Sequence, residues 1–235
     1  MQLSKRLLAI ANEVPEKGAV ADVGCDHAYT SIYLATHKEL KHIIAMDVRT
    51  GPLEKAKENI KANGLETIIE TRLSDGLKVL SKGEIDTVII SGMGGALIQK
   101  ILTEGSHVLE AVNCLVLQPQ TEKAELRHYL YSIGMHIKKE IMLIDEGKYY
   151  NIIVAIPQGN SQETPYQKEE YEFGRLLLEK KDPVLKEFLE FETQKLQKIL
   201  LNLEAHREKN EERIAELEEK QRLIHKGLDY FKDKE

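Results

Sequence analysis

The sequence predicts an α/β chain: a doubly wound, mostly parallel sheet that ends in an antiparallel hairpin, followed by an α-helical tail folded back as an antiparallel coiled coil. Three observations carry this. Apolar, β-branched runs alternate with helical patterns through the first 160 residues, as expected of parallel strands buried beneath helices. The last two strand candidates have no helix between them, only the tight turn Asp145-Glu-Gly-Lys148, which makes them a hairpin. Beyond Asn160 the composition changes: residues 161–235 hold 34 charged side chains and 2 glycines, against 38 and 13 in residues 1–160. The charged fraction rises from about 24% to about 45%, which reads as solvated helix. Two domains are expected, 1–160 and 161–235, joined by the polar, proline-bracketed stretch 157–165.

In order, the strand candidates are 19–23, 42–47, 68–73, 87–90, 114–118, 136–144 and 150–156, with helical patterns at 29–37, 52–63, 96–102 and 123–133. Folds of this kind bind ligands beyond the carboxyl ends of their strands, so the residues that close each strand are the candidates for chemistry. The tail reads as helices over 166–180, 183–206 and 208–231. Asp182-Pro183 supplies an N-cap carboxylate and a proline at the first helical position, where a missing N–H is harmless. Ile214, Leu217, Gln221, Ile224, Leu228 and Phe231 recur at alternating spacings of three and four, a coiled-coil seam with one polar interruption. Leu189, Leu196, Ile199 and Leu203 form the facing seam. The polar run 206–212 breaks the register and favours a hairpin over one long helix that dimerises in trans.

Composition narrows the function classes. With 235 residues, 42% hydrophobic and 31% charged, the chain builds a packed core and is neither disordered nor collagen-like. Two cysteines, Cys25 and Cys114, rule out a disulfide scaffold and are expected to be reduced. No apolar run approaches the ~18 to 20 residues of a membrane span, and charges at Lys5, Arg6, Glu13, Glu16 and Lys17 occupy the place of a signal peptide's apolar segment. A cytoplasmic protein with no membrane partner is therefore expected. No metal site is expected either: the eight histidines form no H-E-x-x-H pattern and the cysteines stand 89 positions apart. Neither a G-x-S-x-G elbow nor a P-loop is present. A net charge of −6 does not advertise a nucleic-acid partner, although only a local basic patch is needed for one.

The first strand ends in Val20-Ala-Asp-Val-Gly-Cys-Asp-His-Ala-Tyr29, where dinucleotide folds place G-x-G-x-x-G. Only Gly24 matches. Asp26 stands near the second glycine of that pattern, and a carboxylate there repels a diphosphate. A ligand with a cationic ammonium end suits Asp22 and Asp26 better, and S-adenosylmethionine is such a ligand. Asp47 closes the second strand 25 residues after Asp22, near the spacing at which an acid accepts ribose hydroxyls. Asp75 follows the third strand, positioned for an adenine edge. Helix capping alone would also account for Asp22, Asp26 and Asp75. After the fourth strand, Ser91-Gly-Met-Gly-Gly95 lets a flat substrate lie against peptide planes, or simply makes a tight turn. Gln118-Pro119-Gln120 offers amides to a base edge. His27 and Tyr29 cluster beside the presumed cofactor, which favours a substrate-facing role over core packing.

Taken together, Ala21-Asp-Val-Gly-Cys-Asp-His-Ala-Tyr29, Asp47-Val-x-x-Gly-Pro-Leu53, Arg72-Leu-Ser-Asp-Gly-Leu77, Ser91-Gly-Met-Gly-Gly95, Leu117-Gln-Pro119 and Glu146-Gly-Lys-Tyr-Tyr150 resemble one family. They look like the bacterial TrmK enzymes, tRNA methyltransferases that modify N1 of adenine at nucleotide 22, and the helical tail is similar to that family's C-terminal coiled coil. The resemblance implies a class I (Rossmann-like) methyltransferase fold, S-adenosyl-L-methionine as donor and tRNA as acceptor. It implies that Asp22, Gly24 and Asp26 hold the methionine end, Asp47 and Val48 the ribose, and Asp75 and Gly76 the adenine, with Gly92 in the same cofactor-binding set. His27, Tyr29, Met93 and Gln118 are expected on the acceptor side. Gly92–Gly95 replaces the Asn/Asp-Pro-Pro-aromatic turn of many adenine N6-methyltransferases and is compatible with ring-nitrogen chemistry. Lys5, Arg6, Arg49, Arg127, Lys138, Lys139 and Lys148 are the candidates for RNA phosphate contacts, in a monomer or weak dimer.

Three other readings compete: a small-molecule methyltransferase whose tail makes oligomers, a coiled-coil scaffold with a vestigial cofactor pocket, and, if Asp26 turns away from the ligand, a nicotinamide reductase.

Overall fold

A computed structural model describes residues 3–159, 164–204 and 207–232. The chain divides into two compact units, Met1–Ser161 and Gln162–Glu235. The first is built as α1 (Lys5–Glu13), β1 (Lys17–Val23), α2 (Tyr29–His37), β2 (Glu39–Asp47), α3 (Thr50–Ala62), β3 (Ile69–Leu73), β4 (Thr87–Met93), α4 (Gly95–Glu104), α5 (Ser106–Leu109), β5 (Cys114–Pro119), α6 (Lys123–Ser132), β6 (Met135–Asp145) and β7 (Lys148–Pro157). The seven strands form one sheet in the order β3-β2-β1-β4-β5-β7-β6. β1 to β5 pair in parallel, and β7 runs antiparallel to both β5 and β6. This is the doubly wound sheet with a closing hairpin, and β7 inserts between β5 and β6.

The sheet is apolar on both faces because helices cover both, as parallel sheets require. Ile10 and Ala11 of α1, Ile32 and Leu34 of α2, and Ala56 and Ile60 of α3 pack with Val20, Ile43, Ile89, Val116 and Ile152 in one core. Alternate residues such as Ile44, Val88, Leu115 and Ile153, also buried, point to the opposite face. There α4 packs on β4, β5 and α6. Helix α1 has no counterpart among the helices read from sequence. Ser4 caps it by accepting from the Leu7 N–H at 3.3 Å, and it lies against α2, β5, β6 and β7.

One expected RNA contact is corrected here. Arg127 of α6 is buried, and its Nε donates to Glu140 Oε1 of β6 at 2.7 Å, with side-chain exposures of 0% and 1%. It cannot meet a phosphate, because α6 turns that side of its surface onto the sheet.

In the second unit, the helix expected over 166–180 is two: α7 (Lys168–Phe173) and α8 (Arg175–Glu179), parted at Gly174, whose φ is 96°. A left-handed residue cannot continue a right-handed helix. Then follow α9 (Pro183–Glu204) and α10 (Arg207–Asp229). Asp182 Oδ1 accepts from the N–H groups of Val184 and Leu185 at 2.9 and 3.1 Å, the cap read from sequence. Lys220 pairs with Glu192 while Gly227 faces Leu189, so the two long helices run antiparallel. Leu189, Leu196, Ile214, Leu217 and Ile224 are buried as expected, joined by Leu185 and Glu192. Residues 160–163 of the expected linker and 205–206 of the expected helix junction lie outside the described residues.

Candidate functional site

All five parallel strands end on one edge of the sheet, and a cavity of about 460 Å³ opens over those ends, within the range of small-molecule sites. Strand β1 delivers Asp22 and then turns at Gly24, whose φ is 73°. A Cβ on Gly24 would come within 2.3 Å of Met93 Cε, so the glycine serves both the turn and the approach of the β4 loop. The N–H groups of Gly24 and Cys25 donate to Met46 O at 2.8 and 2.9 Å, tying the loop to β2. Asp26 and Ala28 also have positive φ, 51° and 58°. Two non-glycine residues in this region within three positions store strain on the order of 1–3 kcal/mol each, the kind concentrated at functional loops.

Asp22 is buried and accepts from Ser31 Oγ at 2.6 Å. Burial pushes its carboxyl up to about 6, against the hydrogen bonds from Ser31, which lower it. Asp22 thus supports the first turn of α2, as the capping alternative has it, while also lining the cavity. Asp26 does not cap: α2 starts after Ala28 with no side-chain cap. The Asp26 carboxylate instead lies 3.7 Å from His27 Nε2. Asp47 is 6% exposed, and its Oδ1 accepts from the Arg49 N–H at 2.9 Å. Asp75 is exposed and paired with Lys78 at 2.6 Å; the Lys78 hydrogen bond holds its carboxyl below the usual range.

The cavity gathers Asp22, Gly24, Asp26 and Asp47, and beyond them Val48, Asp75, Gly76 and Gly92. Of the acceptor-side candidates, His27, Tyr29 and Met93 line it too. The His27 and Tyr29 rings are 5.6 Å apart and tilted at 55°. Gln118 does not line it. It is fully buried, and its Oε1 accepts from the Gly92 N–H and from Arg6 Nη1, both at 3.0 Å; its expected contact with a base is corrected to an internal one. Arg6 is likewise drawn into the wall, with its guanidinium 5.4 Å from the Tyr150 ring centroid. Arg49 stands at the rim, its side chain 72% exposed. Lys5, Lys138 and Lys148 are exposed, and Lys139 pairs with Glu13 at 2.8 Å.

Sequence reasoning gave no site role to Leu7, Val23, Cys25, Thr30, Ser74, Ser91, Leu97 or Ile101, which also line the wall. Ser74 had a local signal, since it stands one residue before Asp75; its hydroxyl donates to Gly76 O at 2.8 Å and shapes the β3 turn. The β4 and β5 turns are pressed together: the Gly95 N–H donates to Thr121 O at 3.0 Å, and a Cβ on Gly95 would lie 2.4 Å from Glu122 O. Among the described residues no group of three or more His, Cys, Asp or Glu is placed to hold a metal, and no helix is long and apolar enough to cross a membrane.

The family model of the tRNA (adenine(22)-N(1))-methyltransferases, TrmK, matches residues 20–226. The chain belongs to this family. The Bacillus subtilis (strain 168) tRNA (adenine(22)-N(1))-methyltransferase is 33% identical over 239 residues, 98% of each chain. A Streptococcus pneumoniae protein solved in complex with S-adenosyl-L-methionine is similar at TM-score 0.85 and 32% identity, over 97% of this chain and 100% of that one. The M. capricolum TrmK structure with S-adenosyl-homocysteine is similar at TM-score 0.85 and 30% identity, over 99% and 100%. The TrmK resemblance read from the strand ends and the Rossmann-like fold it implied both hold.

Proposed function

We infer that this chain transfers the methyl group of S-adenosyl-L-methionine to N1 of adenine 22 in tRNA. The observation that carries the reading is the cavity at the strand ends of a TrmK-family chain, with an acid at or just beyond the end of each of three successive strands. The residues fit the cofactor. Asp22 is an acid whose carboxyl is pushed up by burial on the cavity wall, and an α-ammonium group beside it would favour the charged form. Asp47 Oδ2 has no hydrogen-bond partner among the described residues and suits a ribose diol. Three carboxylates around the Gly24 loop oppose a diphosphate, which argues against a nicotinamide dinucleotide.

When bound, S-adenosyl-L-methionine supplies an electrophilic sulfonium methyl. The protein's task is then positioning and exclusion of water. N1 of adenine has an in-plane lone pair and needs no prior deprotonation, so no general base is required. A base in folded tRNA must leave its stack to present N1, and Tyr29, 40% exposed at the cavity mouth, offers an aromatic face to receive it. Incubation with S-adenosyl-L-methionine and unmodified tRNA, followed by nucleoside mass spectrometry, should yield 1-methyladenosine that disappears when adenine 22 is substituted. Methylation of metabolites with none of tRNA would return the small-molecule reading.

The Asp22 value sets a pH dependence. An ammonium binds the ionised carboxylate, so cofactor affinity is expected to fall by about tenfold per pH unit below pH 6. For the free protein the sign is opposite: a folded value of about 6 against an ordinary 3.8 contributes stability at low pH that is lost as pH rises through 6. Asp22→Asn should therefore raise the melting temperature at pH 7 while weakening cofactor binding and flattening its pH profile. Calorimetry and titration at pH 5, 6 and 7 check both signs.

Exposed Lys5, Lys138, Lys148 and Arg49 remain the basis for a phosphate-binding surface. Replacing all four with Gln should weaken tRNA binding and reduce the slope of log affinity against log salt by roughly 0.7–0.9 for each lost contact. An unchanged slope would place the RNA elsewhere.

A further inference from the structure

The cavity has two chemically distinct halves. The strand order β3-β2-β1-β4-β5 sets Asp75, Asp47 and Asp22 over one half, and Gly92, Met93 and Gln120, from the ends of β4 and β5, over the other. With the acids turned to the methyl donor, the β4–β5 half is left for the acceptor base. Two amides stand two residues apart at the end of β5, in opposite situations, one behind the cavity wall and one on it. Gln118 is engaged at both ends of its amide: Oε1 accepts from the Gly92 N–H and Arg6 Nη1, and Nε2 donates to Pro119 O at 3.1 Å. Because two donors meet the oxygen and an acceptor meets the nitrogen, this orientation is fixed by chemistry. Gln118 therefore braces the Gly92 turn.

Gln120 is exposed on the cavity wall. Its backbone N–H is anchored on Met93 O at 2.8 Å, while its side-chain amide makes no hydrogen bond among the described residues. The amide reaches over the glycine turn, since Nε2 lies 3.9 Å from where a Gly92 Cβ would stand.

We propose that Gln120 selects the target base by reading the adenine edge that methylation leaves open. N1 has to face the methyl donor. The polar atoms then still paired on one edge are the N6 amine and N7, which a glutamine reads with two hydrogen bonds, Oε1 accepting from N6 and Nε2 donating to N7. Guanine places a second acceptor where adenine has its amine, so one of the two bonds is lost. This rests on the tRNA adenine reading above and adds the residue that recognises the base.

The test is a cycle between protein and substrate. Single-turnover methylation is measured on tRNA carrying adenosine or 7-deazaadenosine at nucleotide 22, with wild type, Gln120→Ala and Gln120→Glu. The deaza base lacks the N7 acceptor but keeps N1 and N6. Wild type should lose about tenfold on the deaza substrate, the effect of one lost hydrogen bond. Gln120→Ala should be at least tenfold slower on adenosine and should not distinguish the two. Gln120→Glu should prefer the deaza base, because its carboxylate opposes the N7 lone pair. Unchanged melting temperatures are expected, since the side chain is exposed. A wild type indifferent to N7, or Ala and deaza losses that multiply, overturns the proposal. A wild type that leaves adenine 22 unmethylated in every tRNA removes the underlying reading, and the proposal with it, in the adenosine arm alone.

Discussion

Asp47→Ala is expected to weaken S-adenosyl-L-methionine binding by about 100-fold or more, with methyl transfer at low cofactor concentration falling in parallel. The side chain closes β2 and is 6% exposed. The Arg49 N–H takes Oδ1, which leaves Oδ2 without a hydrogen-bond partner among the described residues of a side chain that lines the cavity. Hydrogen bonds to a charged group contribute roughly 1.5–3 kcal/mol each, and a ribose diol offers two hydroxyls. Asp47→Asn keeps one acceptor oxygen without the charge and should show an intermediate loss of about tenfold. The loss should appear in KM for the cofactor, with kcat recovering at saturation, because the ribose is remote from the methyl group. Isothermal titration and initial rates separate the two constants. An unaltered affinity in Asp47→Ala would mean that the ribose lies elsewhere in the cavity.

The largest effect on stability should come from Arg127→Ala. Arg127 and Glu140 are joined at 2.7 Å between α6 and β6, with side chains at 0% and 1% exposure. Removing one member of a buried pair leaves the other charge uncompensated and destabilises by about 3–5 kcal/mol. For a chain of this size each kcal/mol shifts the melting temperature by roughly 2–4 °C, so a fall of about 10 °C or more is expected. Replacing both, Arg127→Met with Glu140→Leu, removes the stranded charge and should recover most of the loss. Below its melting temperature, Arg127→Ala should bind tRNA with the salt dependence of the wild type, because a buried guanidinium contacts no phosphate. A double variant as unstable as the single one would show that the pair stabilises by more than mutual neutralisation.

The two predictions mark two kinds of legibility. Asp47 could be read because a parallel sheet sends all its carboxyl ends to one edge, so finding where each strand stops also finds what faces the cavity. The same logic brought Asp22, Gly24, Asp75 and Gly92 to the cavity wall. Gly24 was visible as a turn glycine, but its second reason, the space taken by Met93 Cε, was not. Arg127 could not be placed, because an arginine in an amphipathic helix looks the same whether its neighbour is water or Glu140 thirteen positions away. Gln118 and Gln120 look alike in the sequence and differ because Gln118 lies within β5, where it is buried, while Gln120 stands one residue past its end, on the cavity wall. Arg6 read as a surface cation because α1 was not recognised; once that helix lies on β5 and β6, the guanidinium reaches Gln118. In the tail, heptad spacing led to the α9–α10 pairing, whereas Gly174 split the preceding helix.

What the sequence by itself determined is therefore the succession of strands along the chain, the parallel run with its closing hairpin, the edge on which the parallel strands end and the acids standing there. These follow from periodicities of two and 3.6 residues and from the direction of a parallel sheet, all local properties of the chain. Only the tertiary structure decided which polar side chains face that edge and which face one another. Arg6 with Gln118, Ser31 with Asp22 and Arg127 with Glu140 are each set by how a helix lies on the sheet, and packing between elements fixes that rotation where local sequence does not.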